Sequence, residues 1–361
     1  MRSIIDVTDL SAEELQRLID TALDIIAEPE RYAHMCSGKK LATLFFEPST
    51  RTRMSFEAAM HELGGAVISM TDGATSSASK GESVHDTAKI VSCYADIIAM
   101  RHPKAGAPLV AALSGSVPVI NGGDGSHCHP TQTLADLLTI YREKGTFRGL
   151  TIGFCGDLKY GRTVHSLINA MTRYPDNHYV LISPAELELP DECKETIEKA
   201  GQTFEVTTSL EGAIPDLDVL YMTRIQKERF DDPAEYARLK DSYVLDTEKM
   251  RLAKEDCIVM HPLPRVNEIS VEVDDDPRAA YFRQALNGKY MRMALILKLL
   301  GITEDEGEMQ LPDEMITNVF KCSNPKCICA QEQEIKHIFV PCDDSGKRYR
   351  CLYCGQEIAE L

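Results

Sequence analysis

The sequence predicts an α/β protein of two doubly wound parallel-sheet lobes bridged by helices, followed by a small β-rich module that carries clustered cysteines. Three observations predict it. Short apolar runs alternate with helical patterns from residue 40 to about 144. The same alternation restarts at residue 150. Six of the twelve cysteines then crowd into the last forty residues. Alternating strand and helix patterns are the mark of βαβ units and a covered parallel sheet. Clustered cysteines in a chain with no secretory signal point to metal rather than disulfides.

In order along the chain, Met1–Ile26 has no uninterrupted apolar core, so it reads as an amphipathic helix rather than a signal peptide. Ser11 with Glu14 three residues on is a capping box. Leu41–Phe46, Ala66–Met70, Ile97–Met100 and Val117–Ile120 read as strands of the first lobe. Val84, Ala88 and Val91 repeat at helical spacing between them. A helix over 131–144, closed by Gly145, bridges the lobes. Leu150–Cys155, Tyr179–Ser183, Phe204–Thr207, Val219–Met222 and Ile258–His261 read as the second set of strands. Asp276-Pro277 reads as an N-cap with proline at the first helical position, opening a helix that runs to about Leu300. The expected domains are 1–133, with helix 285–301 returning to it, then 134–284, an acidic linker 302–315, and a module 316–361.

Composition narrows the function. A formal net charge of −17 argues against a nucleic-acid coat or an anionic membrane as partner. No stretch approaches a membrane span, so the expected compartment is the cytoplasm. In so acidic a chain, any anion site must be built locally from a few Arg and Lys residues.

The segment Phe46-Glu47-Pro48-Ser49-Thr50-Arg51-Thr52-Arg53 is such a place. It follows a strand and opens a helix whose apolar positions, Phe56, Met60 and Leu63, share one side. Hydroxyls and an arginine then sit where free N–H groups and the helix dipole favour an anion. A plain Ser/Thr cap beside a solvated arginine is the blander account. A nucleotide P-loop is absent, because no glycine-rich loop ends in Gly-Lys-Ser/Thr. Gly153–Asp157 lacks the glycine spacing of a dinucleotide fingerprint, and His61-Glu62 lacks the second histidine of a zincin.

Ser49–Arg53 resembles the phosphate-binding signature of the carbamoyltransferases, and six further segments follow in that family's order. They are Ser76–Glu82, Met100–Pro103, His129–Gln132, Gly156–Thr163, Tyr221–Gln226 and His261–Arg265. The resemblance covers roughly residues 1–300 and implies roles residue by residue. Ser49, Thr50, Arg51 and Thr52 would cradle the phosphate of carbamoyl phosphate, with Ser76 and Lys80 reaching in from a neighbouring subunit. Thr52, Arg101 and His129 would point at the carbonyl oxygen, and Gln132 would hold the carbamoyl nitrogen. Arg51, Thr52, Lys80, Arg101 and His129 are thus the implied catalytic set. Arg162, Arg224 and Gln226, with Lys80, would bind the second substrate, and the Leu263-Pro264 backbone would accept from its amine across a cis bond. The implied assembly is a homotrimer, or a multiple of trimers, with shared sites and no metal or organic cofactor for the chemistry.

Phosphate and carbamoyl motifs are shared with ornithine carbamoyltransferases. Pro262, where those enzymes carry cysteine, and the Arg224-x-Gln226 pair favour L-aspartate, whose two carboxylates call for arginine partners. The implied reaction is carbamoyl phosphate plus L-aspartate to N-carbamoyl-L-aspartate and phosphate, in pyrimidine biosynthesis. Another amine such as ornithine is the alternative within the class, and a non-catalytic zinc-bearing scaffold the alternative outside it.

At the C-terminus, Cys322 and Cys327 flank four residues, Cys351 and Cys354 flank two, and 23 residues separate the pairs. Four such thiolates suit a closed tetrahedral zinc site in a zinc-ribbon-like module, with Cys329 and Cys342 as rival ligands. Ile335–Val340 and Lys347–Arg350 read as its strands. A segment this short buries little core, so metal would supply folding energy. Residues 312–361 carry eight acidic and six basic side chains, a net −2, which favours a protein partner over nucleic acid. The module resembles the zinc domain of the aspartate carbamoyltransferase regulatory chain, without the nucleotide-binding domain that normally precedes it. The resemblance implies an inter-subunit or structural clamp without nucleotide feedback.

Overall fold

A computed structural model describes residues 2–70, 80–225, 239, 243–304, 308–342 and 348–359. The chain divides into two compact units, Met1–Thr131 with Lys289–Leu361, and Gln132–Gly288.

In the first unit, helix α1 (Ala12–Ala27) starts on the capping box read from the sequence: the Ser11 hydroxyl accepts from Glu14 N at 3.2 Å, and the Glu14 carboxylate accepts from Ser11 N at 3.0 Å. Then come β1 (Lys40–Phe45), α2 (Thr50–Glu62), β2 (Ala66–Met70), α3 (Val84–Val91), β3 (Ile97–His102), α4 (Ala107–Ser114) and β4 (Val119–Asp124). The strands are parallel in the order β2-β1-β3-β4, with Leu41 opposite Ile97 and Phe45 opposite Arg101. Strands β1 and β4 are buried almost end to end, as covered parallel strands are, whereas the edge strand β2 is largely exposed. The order reverses between β1 and β3. Ligands of open α/β sheets bind beyond the carboxyl ends of strands at such a switch point.

Helix α5 (Pro130–Lys144) leads into the second unit, which adds β5 (Thr151–Cys155), α6 (Arg162–Met171), β6 (His178–Ile182), α7 (Asp191–Lys199), β7 (Thr203–Thr207), β8 (Val219–Met222) and β9 (Ile258–Met260). Its strands are parallel in the order β7-β6-β5-β8-β9, so the switch point lies between β5 and β8. The core sits under this sheet, with Phe154, Tyr179, Tyr221 and Tyr281 fully buried.

Helix α8 spans Tyr281–Leu299, so it starts four residues after the Asp276-Pro277 signal. The reason is pairing. Val259 N donates to Arg278 O and Ala280 N to Val259 O, which holds 278–280 extended along β9. The Asp276 carboxylate caps Arg278 N at 2.9 Å, closing a turn rather than a helix.

The C-terminal module is an antiparallel sheet, β10 (Ile316–Thr317), β11 (Ile338–Pro341), β12 (Arg348–Cys351) and β13 (Glu357–Ala359), in that order. It belongs to the first unit, and its Ile328, Phe339 and Tyr353 share one apolar cluster with Met100, Ala107 and Leu109. Two main-chain bonds join it to the loop after β3: Ala105 N to Lys326 O at 2.9 Å, and Ile328 N to Ala105 O at 3.0 Å. Gly106 has φ +82°, and a Cβ there would lie 2.4 Å from Tyr353 Cβ, so only glycine admits the ribbon this closely.

Candidate active site and metal centre

In the first unit, the loop after β1 meets the end of β3. Phe46 N donates to Arg101 O at 2.9 Å, so the Phe46–Arg53 segment starts tied to the strand that carries Arg101. Ser49 holds the N-cap position of α2 with φ −157°, and its hydroxyl makes no capping bond. The plain-cap account therefore does not describe this helix start. Beside it opens a cleft of about 290 Å³ lined by Phe45, Phe46, Glu47, Pro48, Ser49, Thr50 and Arg53. Arg53 turns to Glu57 at 3.5 Å, one helical turn on. Partial burial of Arg51, with the Arg101 charge nearby, lowers its pKa from the ordinary value.

Arg101 donates to Glu47 at 2.8 Å and to Gly122 O at 3.3 Å, and lies 3.4 Å from His129 Nε2. Its buried Nε has no hydrogen-bond partner among the described residues. Gly123, at φ +119°, makes room for the pair: a Cβ there would lie 2.9 Å from Arg101 Nη1 and 3.3 Å from the His129 ring. Asp124 then buckles the loop that carries His129. One carboxylate oxygen accepts from Asn121 Nδ2 and Cys128 N, the other from Gly106 N at 2.8 Å and faces His127 Nδ1 at 3.0 Å. Burial works against this carboxylate's charge, but His127 and its other donors hold its pKa below the usual range. Asp124, His127 and Cys128 could be taken for metal ligands. The Asp124 oxygens are already spent on four donors, so the cluster reads as a buckle. Sequence reasoning missed Glu47, Gly123 and Asp124, although a glycine pair and an aspartate directly ahead of the histidine motif were a visible signal.

In the second unit, Arg162 opens α6 after β5, and Arg224 follows β8, one on each side of the switch point. Their loops meet at a glycine. Gly156 has φ +118°, a Cβ there would lie 2.4 Å from Thr223 O, and Asp157 N donates to the Thr223 hydroxyl at 2.9 Å. The Leu263-Pro264 bond after β9 is cis.

A buried network joins this loop to Gln132. Asp136 accepts from Gln132 at 2.7 Å and Gln284 at 2.6 Å on one oxygen, and from Tyr221 at 2.9 Å on the other. Gln284 in turn accepts from His261 N at 2.9 Å. His261 Nδ1 accepts from Leu263 N at 2.7 Å, so its proton sits on Nε2 and is donated to Glu268 at 2.8 Å. Burial raises the pKa of Glu268, but the bonds from His261 and Val266 N outweigh it and leave the carboxyl below its usual range. Burial and the Asp136 charge push the Tyr221 hydroxyl well above its ordinary pKa, which keeps it a donor. Lys80 is exposed at the start of the segment leading to α3. Ser76 and Gln226 lie outside the described residues.

In the ribbon, the sulfurs of Cys322, Cys327, Cys351 and Cys354 all lie within 4.8 Å of one another. Cys322 and Cys354 are 3.5 Å apart, and Cys327 and Cys351 3.8 Å. A tetrahedron with metal–sulfur bonds of about 2.3 Å has edges of about 3.8 Å, so the four fit one metal ion. Cys329 is 3.4 Å from Cys327 and 4.0 Å from Cys351 but stands outside the convergent four. Cys342 is not among them either. His337 Nδ1 accepts from Cys322 N at 3.1 Å, bracing the first ligand from outside.

Comparison with known proteins finds three successive matches along the chain. The family described as "Aspartate/ornithine carbamoyltransferase, carbamoyl-P binding domain" matches residues 2–142, and "Aspartate/ornithine carbamoyltransferase, Asp/Orn binding domain" matches 148–299. The aspartate carbamoyltransferase catalytic subunit of Clostridium novyi (strain NT) is 60% identical over 301 residues, which is 83% of this chain and 98% of that protein. The chain belongs to the aspartate carbamoyltransferases. Residues 314–361 match "Aspartate carbamoyltransferase regulatory chain, metal binding domain", so this member carries a regulatory-chain element on a catalytic one. Among solved structures, the catalytic subunit of M. jannaschii aspartate transcarbamoylase is 48% identical with a TM-score of 0.79, covering 85% of this chain and 100% of that one. The Trypanosoma cruzi aspartate transcarbamoylase in complex with N-(phosphonacetyl)-L-aspartic acid is 40% identical with a TM-score of 0.76, covering 82% and 94%. Among the described residues, no helix is long and apolar enough to cross a membrane.

Proposed function

We propose that the enzyme transfers the carbamoyl group of carbamoyl phosphate to the amine of L-aspartate, giving N-carbamoyl-L-aspartate and phosphate. The observation that supports this is positional: Ser49, Thr50, Arg51, Thr52 and Arg101, whose side chains can bind anions, follow β1 or end β3 at one switch point, and Arg162 and Arg224 follow β5 and β8 at the other. One set suits a phosphate dianion, the other two carboxylates. The Trypanosoma cruzi relative was solved with carbamoyl phosphate and aspartate, which supports the same pair here.

In this reading the unprotonated aspartate nitrogen attacks the carbamoyl carbon, a C–N bond forms, the C–O bond to phosphate breaks with its electron pair going to the phosphate oxygen, and one N–H proton passes to the departing phosphate. Thr52, Arg101 and His129 stabilise the oxyanion that develops on the carbonyl oxygen. Ser49, Thr50 and Arg51, with Ser76 and Lys80, hold the departing phosphate, and Arg51 neutralises the charge that builds on its bridging oxygen. Gln132 orients the carbamoyl nitrogen through its bond to Asp136. Arg162, Arg224 and Gln226, with Lys80, hold the carboxylates, and the Leu263-Pro264 backbone accepts from the amine. Positioning of two bound substrates supplies much of the rate gain.

The same proposal makes the enzyme a cytoplasmic homotrimer, or a multiple of trimers, with Ser76 and Lys80 completing a neighbour's site. The four-thiolate centre holds one structural zinc ion, which supplies folding energy to the ribbon and no chemistry, and the ribbon acts as a clamp. The test is carbamoyl transfer by the purified protein with L-aspartate and L-ornithine side by side. Activity with aspartate alone supports the reading; activity with ornithine, or with neither, sinks it.

A further inference from the structure

Glu332 lies in the metal-binding ribbon, 248 residues beyond the helix it touches. Its Oε2 accepts from the backbone N–H of Val84, the first residue of α3, at 3.3 Å. Its Oε1 accepts from Lys104 Nζ at 2.8 Å, in the loop that follows Arg101 and β3. The side chain is 12% exposed. Three main-chain bonds set its place: Lys326 and Ile328 each pair with Ala105, and Glu332 N donates to Ile328 O at 2.9 Å. Helix α3 therefore has two caps. Ser83 takes the N–H of Asp86 at 3.1 Å, and Glu332 takes that of Val84. A carboxylate at this position also meets the positive end of the helix dipole.

Val84 stands four residues after Lys80. We propose that Glu332 is a positioning residue: by capping α3 from the ribbon it fixes the base of the Lys80 segment, and so couples the metal module to the use of carbamoyl phosphate. One carboxylate of the ribbon thus bridges the start of α3 and Lys104 in the loop after β3. The inference rests on the reading of Lys80 as a substrate-binding residue.

The test uses the full-length, zinc-loaded protein. Glu332→Gln removes the charge, and Val84→Pro removes the donor without changing any residue of the ribbon, although it also removes a valine buried in the cluster the ribbon shares. Proline is tolerated at a first helical position, and Ser83, at φ −75° and ψ 159°, already has the extended backbone that a following proline demands. Each variant is expected to keep its zinc while KM for carbamoyl phosphate rises about tenfold, as loss of a charged hydrogen bond gives; Val84→Ala, which trims the same buried side chain but keeps the N–H donor, is expected to lower the thermal midpoint as Val84→Pro does and to leave KM at the wild-type value. The double variant is expected to be no worse than either single one, and Glu332→Asp to recover part of the loss. Trypsin cleavage after Lys80 is expected to quicken in both single variants. Wild-type KM and wild-type cleavage in Val84→Pro overturn the inference, even if Glu332→Gln fails to fold. Lys80→Ala, assayed in parallel, separates the two readings. Full activity there overturns the role of Lys80 and this inference with it. Loss of activity there, with wild-type KM in Val84→Pro, overturns this inference alone.

Discussion

The parallel-sheet body and the C-terminal ribbon are held together by different means. The body buries whole strands and large rings, with Phe45, Phe56, Phe154, Tyr179, Tyr221 and Tyr281 fully enclosed. In the ribbon Phe339 is the one large ring so enclosed among the described residues, with Phe320 edge-on against it at 5.8 Å. Four thiols occupy the place of the missing core. Apolar burial suffices for the body, while the ribbon, with four thiols able to hold one metal ion, is expected to depend on that metal and on the surface that receives it. The residues proposed to act on the substrates lie in the parallel-sheet body, not in the ribbon.

The largest test of that contrast is removal of the metal. Binding of zinc by such small domains is worth on the order of 10 kcal/mol, so chelation is expected to unfold the ribbon as a unit. Amide exchange would show protection lost at Ile328 and Phe339 and kept along β5 and β8. Exchange unchanged at Phe339 after the metal has gone would break the contrast.

Arg51→Ala is next, with an expected fall of about a thousandfold in kcat/KM, equivalent to about 4 kcal/mol of transition-state stabilisation. The thermal midpoint and zinc content are expected to hold, because Arg51 is exposed and far in sequence from the ribbon. A midpoint that falls with activity would mean that the residue supports the fold.

Asp136→Asn places an amide group against the donors of Gln132 and Gln284. A cost of about 2–3 kcal/mol is expected in stability, with kcat/KM for aspartate lowered as Gln132 and the Leu263 loop lose their common partner. Denaturation by urea and steady-state rates measure the two effects. Loss of stability with wild-type kinetics would confine the network to a structural role.

A pH series sharpens the body side. Burial opposes the charge on Glu14, but its bonds to Arg2 and the nearby Lys298 at 3.3 Å lower its pKa from 4.5 to about 2. The folded value lies below the unfolded one. The stabilisation, about 2 kcal/mol, is thus present above pH 4.5 and is lost as pH falls toward about 2. Glu14→Gln is expected to be less stable than wild type at pH 7 and to converge with it in acid. A gap that persists unchanged at pH 3 would contradict the pairing.

The smallest effect expected is that of Cys329→Ser, which is predicted to keep one zinc per chain, whereas Cys327→Ser loses it. Metal analysis of the two proteins decides whether the fifth thiol is a ligand.

What the sequence showed, and what it hid, follows from range. Ser49–Arg53 was legible because strand end, cap position and arginine lie within a few consecutive residues. The alternation of strands and helices was legible for the same reason, and so was the capping box at Ser11. The Asp136 network was not, because Gln284 lies 148 residues away and nothing local marks either residue as its partner. Asp276-Pro277 misled because its local signal is sound, yet the ladder to β9 claimed the next residues. Cysteine spacing identified the convergent four but could not tell Cys329 from a ligand, since two thiols a residue apart can both reach one centre. Glu332 carried no motif at all. Its importance comes only from the helix start that folding places beside it.

The stretch that joins α8 to β10 is chain, not an association between molecules. A tether of this length holds its two ends at roughly millimolar effective concentration. Docking of the ribbon on the Ala105 loop is then a first-order event, indifferent to how dilute the enzyme becomes. A separate subunit making the same contacts would fall away as its concentration dropped below its dissociation constant. Here the occupancy of that surface is set by covalent geometry, and it would be the same in a nanomolar assay as in a crowded cell.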